Sequence, residues 1–241
     1  MEIIKVKDYQ QMSEKACQLL KDKIQEREQP VIGLATGSTP EGLYQCLIEK
    51  YKRNELSFKD VVTFNLDEYV GLEKDDPNSY AYYMNEKLFK HIDISKEHAH
   101  LPGGVTTDLE IECQDYEKLI RDAKHVDVQL LGLGVNGHIG FNEPGTAFTS
   151  RTHVVNLDET TRQANARFFN SIDEVPTKAI TMGIDTIMES KEILLLVSGE
   201  SKSEAVARLL QGKVSEDFPA SILQEHNRVT ILADEAALSK V

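Results

Sequence analysis

Positive charge is scarce in this sequence: 27 Lys and Arg stand against 40 Asp and Glu in 241 residues, a formal net charge of −13. A chain so acidic repels polyanions, which excludes nucleic acid and anionic membrane surfaces as its main partners. Tryptophan is absent, and the three cysteines, Cys17, Cys46 and Cys113, are widely spaced with no CxxC pair. That pattern excludes a disulfide framework and a zinc knuckle, and predicts reduced, packed thiols. Long apolar runs are missing too. Ile193–Val197 is the longest of note, far short of the ~20 residues that cross a bilayer. The opening MEIIKVKDYQQ has neither the apolar stretch nor the small-residue cleavage site of a secretory signal, so a cytoplasmic location is expected. No repeat, low-complexity tract or Pro/Gly linker interrupts the chain, and 1–241 reads as a single domain.

Hydrophobic residues make up 40% of the sequence, enough for a real core, and their spacing alternates between two periods. Residues 8–27 carry Met12, Ala16, Leu19, Leu20 and Ile24 on one helical stripe. Pro40 opens a second helical pattern with Leu43, Leu47, Ile48 and Tyr51. Residues 78–90, 109–123, 201–211 and 234–239 also read as helical. Short apolar runs lie between them: Val31–Thr36, Val61–Leu66, Val126–Leu133, Val154–Leu157, Ala179–Met182, Ile193–Val197 and Val229–Leu232. Such alternation predicts βαβ units, hence an α/β fold with a Rossmann-like open parallel sheet and helices on both faces. Ligands of such sheets bind beyond the carboxyl ends of the strands, so the residues just after each strand carry the information.

Three strand-end motifs stand out. Thr36-Gly37-Ser38-Thr39-Pro40 joins a buried strand to a helix. Glycine allows close backbone approach, and the helix start offers free N–H groups, so Gly37, Ser38 and Thr39 form a candidate phosphate cradle or an ordinary capped turn. It lacks the lysine of a P-loop and the spacing of a dinucleotide fingerprint. Asn65-Leu66-Asp67-Glu68-Tyr69 places two carboxylates at a strand tip; strand alternation sends them to opposite sides, so one of the two faces a given ligand. The third motif, Gly132-Leu133-Gly134-Val135-Asn136-Gly137-His138-Ile139-Gly140-Phe141-Asn142-Glu143-Pro144-Gly145, follows the most apolar strand. Histidine titrates near neutrality and suits proton transfer, and a nearby carboxylate orients its ring.

Taken together and in this order, these motifs resemble the glucosamine-6-phosphate deaminase (isomerase, deaminating) family. The likeness runs through Phe64–Leu72, Asn136–Pro144, Ser150-Arg151-Thr152, Thr161–Phe169 and Ser198-Gly199-Glu200-Ser201-Lys202. The resemblance implies an enzyme with no metal and no cofactor, converting glucosamine 6-phosphate and water to fructose 6-phosphate and ammonia. It implies that His138 opens the sugar ring with Glu143 and Asn136 tuning it, and that Asp67 removes the C2 proton. It assigns the phosphate to Gly37, Ser38, Thr39, Arg167 and Lys202, and a mobile lid to about 157–180. The family carries Asp or Asn at the position of Asn136; asparagine orients the histidine without lending it negative charge. Larger members use basic side chains near the 153–155 segment and an extended tail for activation by N-acetylglucosamine 6-phosphate. Here those positions read His153 and Val155 and the sequence stops at Val241, so unregulated kinetics and a monomer or small homo-oligomer are expected. The rival readings are a 6-phosphogluconolactonase, disfavoured by Phe141-Asn142-Glu143-Pro144, and a non-catalytic sugar-phosphate sensor, disfavoured by the presence of Asp67 and His138. The HxH pair His98 and His100 has no third ligand at a useful spacing, and Tyr80, Tyr82 and Tyr83 read as packing residues, one of them a candidate for the sugar pocket.

Overall fold

The computed structural model describes residues 1–157, 162–163, 169 and 171–241. Arg167, and residues 158–161, 164–166, 168 and 170 of the expected lid, lie outside the described residues. Seven strands form a parallel sheet: β1 (Glu2–Val6), β2 (Val31–Leu34), β3 (Val62–Asn65), β5 (Ala99–His100), β6 (Val128–Gly132), β9 (Glu192–Val197) and β10 (Val229–Asp234). Their spatial order is β1-β10-β9-β6-β2-β3-β5, and every pairing within it is parallel. β2 and β3 are buried from end to end and β9 is buried after its first residue, as continuous apolar runs demand when both faces are covered.

Helices cover both faces. On one, α1 (Tyr9–Gln25) and α2 (Glu41–Lys52) pack Leu20, Ile24 and Leu47 against Ile32 and Leu34. On the other, Tyr116 of α4 (Leu109–Asp122) meets Phe64 edge-on at 5.8 Å. Three shorter helices, α3 (Tyr80–Lys87), α5 (Ile184–Met188) and α6 (Ser203–Gln211), follow β4 (Asp67–Tyr69), β8 (Lys178–Thr181) and β9.

Three expectations need correction. The runs at Val154–Leu157 and Ala179–Met182 do not join the parallel sheet. As β7 (His153–Asn156) and β8 (Lys178–Thr181) they form a separate antiparallel sheet with β4 (Asp67–Tyr69), in the order β4-β8-β7. Met182 N–H still donates to Leu66 O at 2.7 Å, tying the small sheet to the tip of β3. Residues 235–240 form consecutive turns, with Leu238 N–H on Asp234 O, instead of a helix. The helix expected over 78–90 ends at Lys87 and tightens to a 3₁₀ turn at Phe89–His91. Within the expected lid, Lys178–Ile180 belong to β8.

Candidate active site

The chain runs from β2 to β3 on one side of the sheet and from β6 to β9 on the other, so the connections diverge between β2 and β6. At the carboxyl ends of these strands lies a cavity of about 420 Å³, walled by residues following β2, β3 and β6. This is the position that an open α/β sheet reserves for ligands.

β4 carries the first chemical group. Asp67 reaches into the cavity, whereas Glu68 turns away from it, as strand alternation predicts. Asp67 is 7% exposed, and no described residue donates a hydrogen bond to its carboxylate. Burial, with the negative charge of Glu68 beside it, pushes its pKa up to about 8. A carboxylate so poorly solvated binds a proton strongly, which suits a base working on a weakly acidic carbon.

The glycine-rich loop after β6 carries the second. It closes on itself through Gly137 N–H to Gly134 O and Gly134 N–H to His138 O, both 3.0 Å. Asn142, fully buried, braces it: its amide nitrogen donates to Ile139 O at 2.9 Å and Met182 O at 2.8 Å. Phe141 N–H donates to Thr181 Oγ1 at 3.1 Å. The loop is thus fastened to β8, the strand that also pairs with Asp67. A Cβ on Gly134 would overlap the imidazole of His138, so the ring lies directly on the loop backbone. His138 Nδ1 stands 3.5 Å from Glu143 Oε1, an ion-pair separation that a small ring movement turns into a hydrogen bond. The hydrogen bonds of Asn136 go to groups other than the ring. Its Nδ2 donates to Glu143 Oε2 at 2.6 Å and its Oδ1 accepts His138 N–H at 3.1 Å. It positions the carboxylate and the histidine backbone.

The turn after β2 forms another part of the cavity wall. Gly37 has φ +94°, a left-handed conformation that costs glycine little. Gly37 and Thr39 line the cavity. Ser38 is exposed outside its wall, with its carbonyl accepting from Tyr9 Oη at 3.0 Å. Tyr9 Oη also accepts Gly42 N–H at 2.9 Å, so that amide of the first turn of α2 is already taken. Lys202 is not in the cavity wall; half-buried, it donates from Nζ to Leu133 O at 2.7 Å. Burial lowers its pKa. Leu133 itself lines the cavity, so the ammonium is held beside the cavity wall.

The structure therefore brings Asp67, Asn136, His138, Glu143, Gly37 and Thr39 to one cavity and sets Ser38 and Lys202 at its margin. Of the three tyrosines, Tyr80 lines it and Tyr83 holds the Gly37 carbonyl at 2.6 Å. Their sequence signal was a tyrosine cluster at a helix start. His100 stacks on Phe64 at 4.8 Å. Among the described residues no cluster of His, Cys, Asp or Glu is arranged to hold a metal ion, and no helix is long and apolar enough to cross a membrane.

Comparison with known proteins identifies the family. Residues 6–232 match the family of glucosamine-6-phosphate isomerases/6-phosphogluconolactonase. The chain is 60% identical over 241 residues to the glucosamine-6-phosphate deaminase of Oceanobacillus iheyensis, covering 100% of this chain and 96% of that protein. It is 55% identical over 239 residues to glucosamine-6-phosphate deaminase 1 of Bacillus subtilis, covering 99% of each. A solved monomeric glucosamine-6-phosphate deaminase superposes with a TM-score of 0.97 at 55% identity, covering 100% of both chains. The 6-phosphogluconolactonase of Thermotoga maritima shares the fold, with a TM-score of 0.77 at 20% identity over 97% of this chain and 99% of that one. The chain belongs to the glucosamine-6-phosphate isomerase/6-phosphogluconolactonase family, on its glucosamine-6-phosphate deaminase side.

Proposed function

We propose that this protein converts glucosamine 6-phosphate and water to fructose 6-phosphate and ammonia. One observation carries the reading: a desolvated carboxylate, Asp67, faces the same cavity as the His138–Glu143 pair. The reaction needs two proton-moving centres, and the cavity offers two of different character. His138, partnered by Glu143, moves a proton from the C1 hydroxyl to the ring oxygen, which opens the sugar. Asp67 then takes the C2 proton of the open chain, giving an enolamine, and the proton is returned at C1. The resulting ketimine at C2 adds water and expels ammonia, leaving the ketone of fructose 6-phosphate. Each general acid–base step contributes typically ~10²–10⁴-fold.

The phosphate is held by the Gly37–Thr39 turn at the start of α2, with Lys202 and Arg167 as its cations. A single phosphate bound by local amides and two cations is compatible with a net charge of −13, because short-range contacts, not the distant field, dominate there. The protein acts as a cytoplasmic monomer or small homo-oligomer, like its monomeric relative, with hyperbolic kinetics.

The test offers the purified protein glucosamine 6-phosphate and, separately, 6-phosphogluconolactone, and measures ammonia and fructose 6-phosphate. Equal yields of both products from the amino sugar are expected. Lactone hydrolysis without ammonia release would replace this reading. Sigmoidal kinetics relieved by N-acetylglucosamine 6-phosphate would refute the unregulated form.

A further inference from the structure

The acid next to the base has its own arrangement. Glu68 is 2% exposed. Its Oε1 accepts Tyr69 N–H at 2.8 Å and Tyr80 N–H at 2.9 Å, and its Oε2 accepts Ala81 N–H at 2.8 Å. Tyr80 and Ala81 are the first two residues of α3, whose amides have no partner within the helix. Ser79 Oγ takes the third, Tyr82 N–H, at 3.0 Å, and Ser79 O takes Tyr83 N–H at 3.0 Å. All four amides of that helix start are thereby satisfied, two of them by a side chain from β4, twelve and thirteen residues earlier. Gly104 packs over the clamp, where a Cβ would overlap Tyr69 O.

What α3 carries explains why the clamp matters. The Tyr80 ring lines the cavity and lies parallel to Phe141, with centroids 6.1 Å apart. Tyr83, one turn on, donates to Gly37 O at 2.6 Å. One helix thus touches both the sugar wall and the phosphate turn, and one carboxylate fixes that helix to the strand bearing the base.

We propose that Glu68 is a positioning residue for the deaminase reaction: it clamps α3 to β4, so that Asp67, the Tyr80 wall and the Gly37 turn keep one geometry, while its charge acts on Asp67. The inference rests on the deaminase reading above. The titratable groups around Asp67 are Glu68 on its own strand, Tyr80 on α3, Tyr116 on α4, and His138 and Glu143 across the cavity; Lys74 lies near Glu68. Of these, Glu68 is the anion that strengthens proton binding at Asp67. Burial pushes the Glu68 carboxyl above its ordinary range, while its three amide bonds and the charge of Lys74 oppose that rise and favour the anion.

The experiment measures kcat and KM for ammonia release from pH 5 to 9 in the wild type, Glu68→Gln and Glu68→Asp. Glutamine is neutral and has one acceptor oxygen for three amides. It should move the acid limb of kcat/KM down by about one pH unit, the order of a like-charge neighbour's effect, and lower the plateau kcat about tenfold. Aspartate keeps the charge but is a methylene short, so it should hold the acid limb in place while kcat falls. A limb that stays put in Glu68→Gln, with or without loss of kcat, would overturn the inference. So would a full plateau kcat in Glu68→Asp, which still reports if the glutamine variant does not fold. Absence of ammonia from the wild type would instead overturn the deaminase reading itself, and this inference with it.

Discussion

Asp67→Asn should stabilise this protein, and increasingly so as pH rises. An unfolded aspartate titrates near pH ~3.9, whereas Asp67 in the folded cavity titrates at about 8. Between those values the folded state binds more protons than the unfolded state, so the stability of the wild type falls as pH climbs through that window. About four pH units at ~1.4 kcal/mol each set a ceiling of roughly 6 kcal/mol. The effective dielectric around a buried charge is higher than that of a dry interior because the protein relaxes about it, which leaves an expected gain of about 2–3 kcal/mol for asparagine at pH 8.5 and close to none at pH 4.5. For a chain of this length that gain is roughly 5–10 °C in Tm. Urea or thermal unfolding of both proteins at pH 4.5, 6.5 and 8.5 measures it. A difference that is constant with pH, or that shrinks as pH rises, would refute the claim that burial holds a proton on Asp67.

Gly134→Ala should lower kcat/KM by about a hundredfold, because the added methyl displaces the His138 ring; steady-state kinetics with unchanged circular dichroism confirms it, and near-wild-type kcat/KM would contradict it. Lys202→Met should raise KM by roughly 10–100-fold with a smaller fall in kcat, the value of a charged hydrogen bond to phosphate; a kcat loss at unchanged KM would show that Lys202 serves the chemistry and not the binding. Asn136→Asp should keep activity within about tenfold of wild type, since Oδ1 still accepts the His138 N–H and the new acid can share a proton with Glu143. A loss as deep as that of His138→Ala would refute the positioning role of Asn136.

The readable parts of the fold were those where one physical signal dominates. The runs that became β2, β3, β6, β9 and β10 are buried on both faces, and burial imposes continuous apolar sequence. β1 escaped notice because it is an edge strand, mostly exposed and carrying Glu2 and Lys5. β4 and β5 are three and two residues long, too short for any period to register. β4 exists because β8, more than a hundred residues later, pairs with it, and a long-range pairing leaves no local trace. The same asymmetry holds in the site. That Asp67, His138 and Glu143 line one cavity was legible because each stands in a glycine-rich or strand-end setting at the carboxyl end of the sheet. The separate duties of Asp67 and Glu68 followed from strand alternation, but the destination of Glu68, the amides of α3, depends on a tertiary contact. The partner of Asn136 likewise depends on how the loop folds: sequence proximity suggests the imidazole, whereas the loop gives its amide to Glu143.

The central claim is that one desolvated carboxylate moves the C2 proton. Turnover of glucosamine 6-phosphate by Asp67→Asn, at pH 8 where the variant is expected to be the more stable protein, tests it most directly. Ammonia release should fall by ~10²–10⁴-fold with KM changed little, since the amide keeps the cavity's shape and loses only the base. Release within tenfold of the wild-type rate would contradict the account, because a folded, substrate-binding protein would then be removing that proton without Asp67.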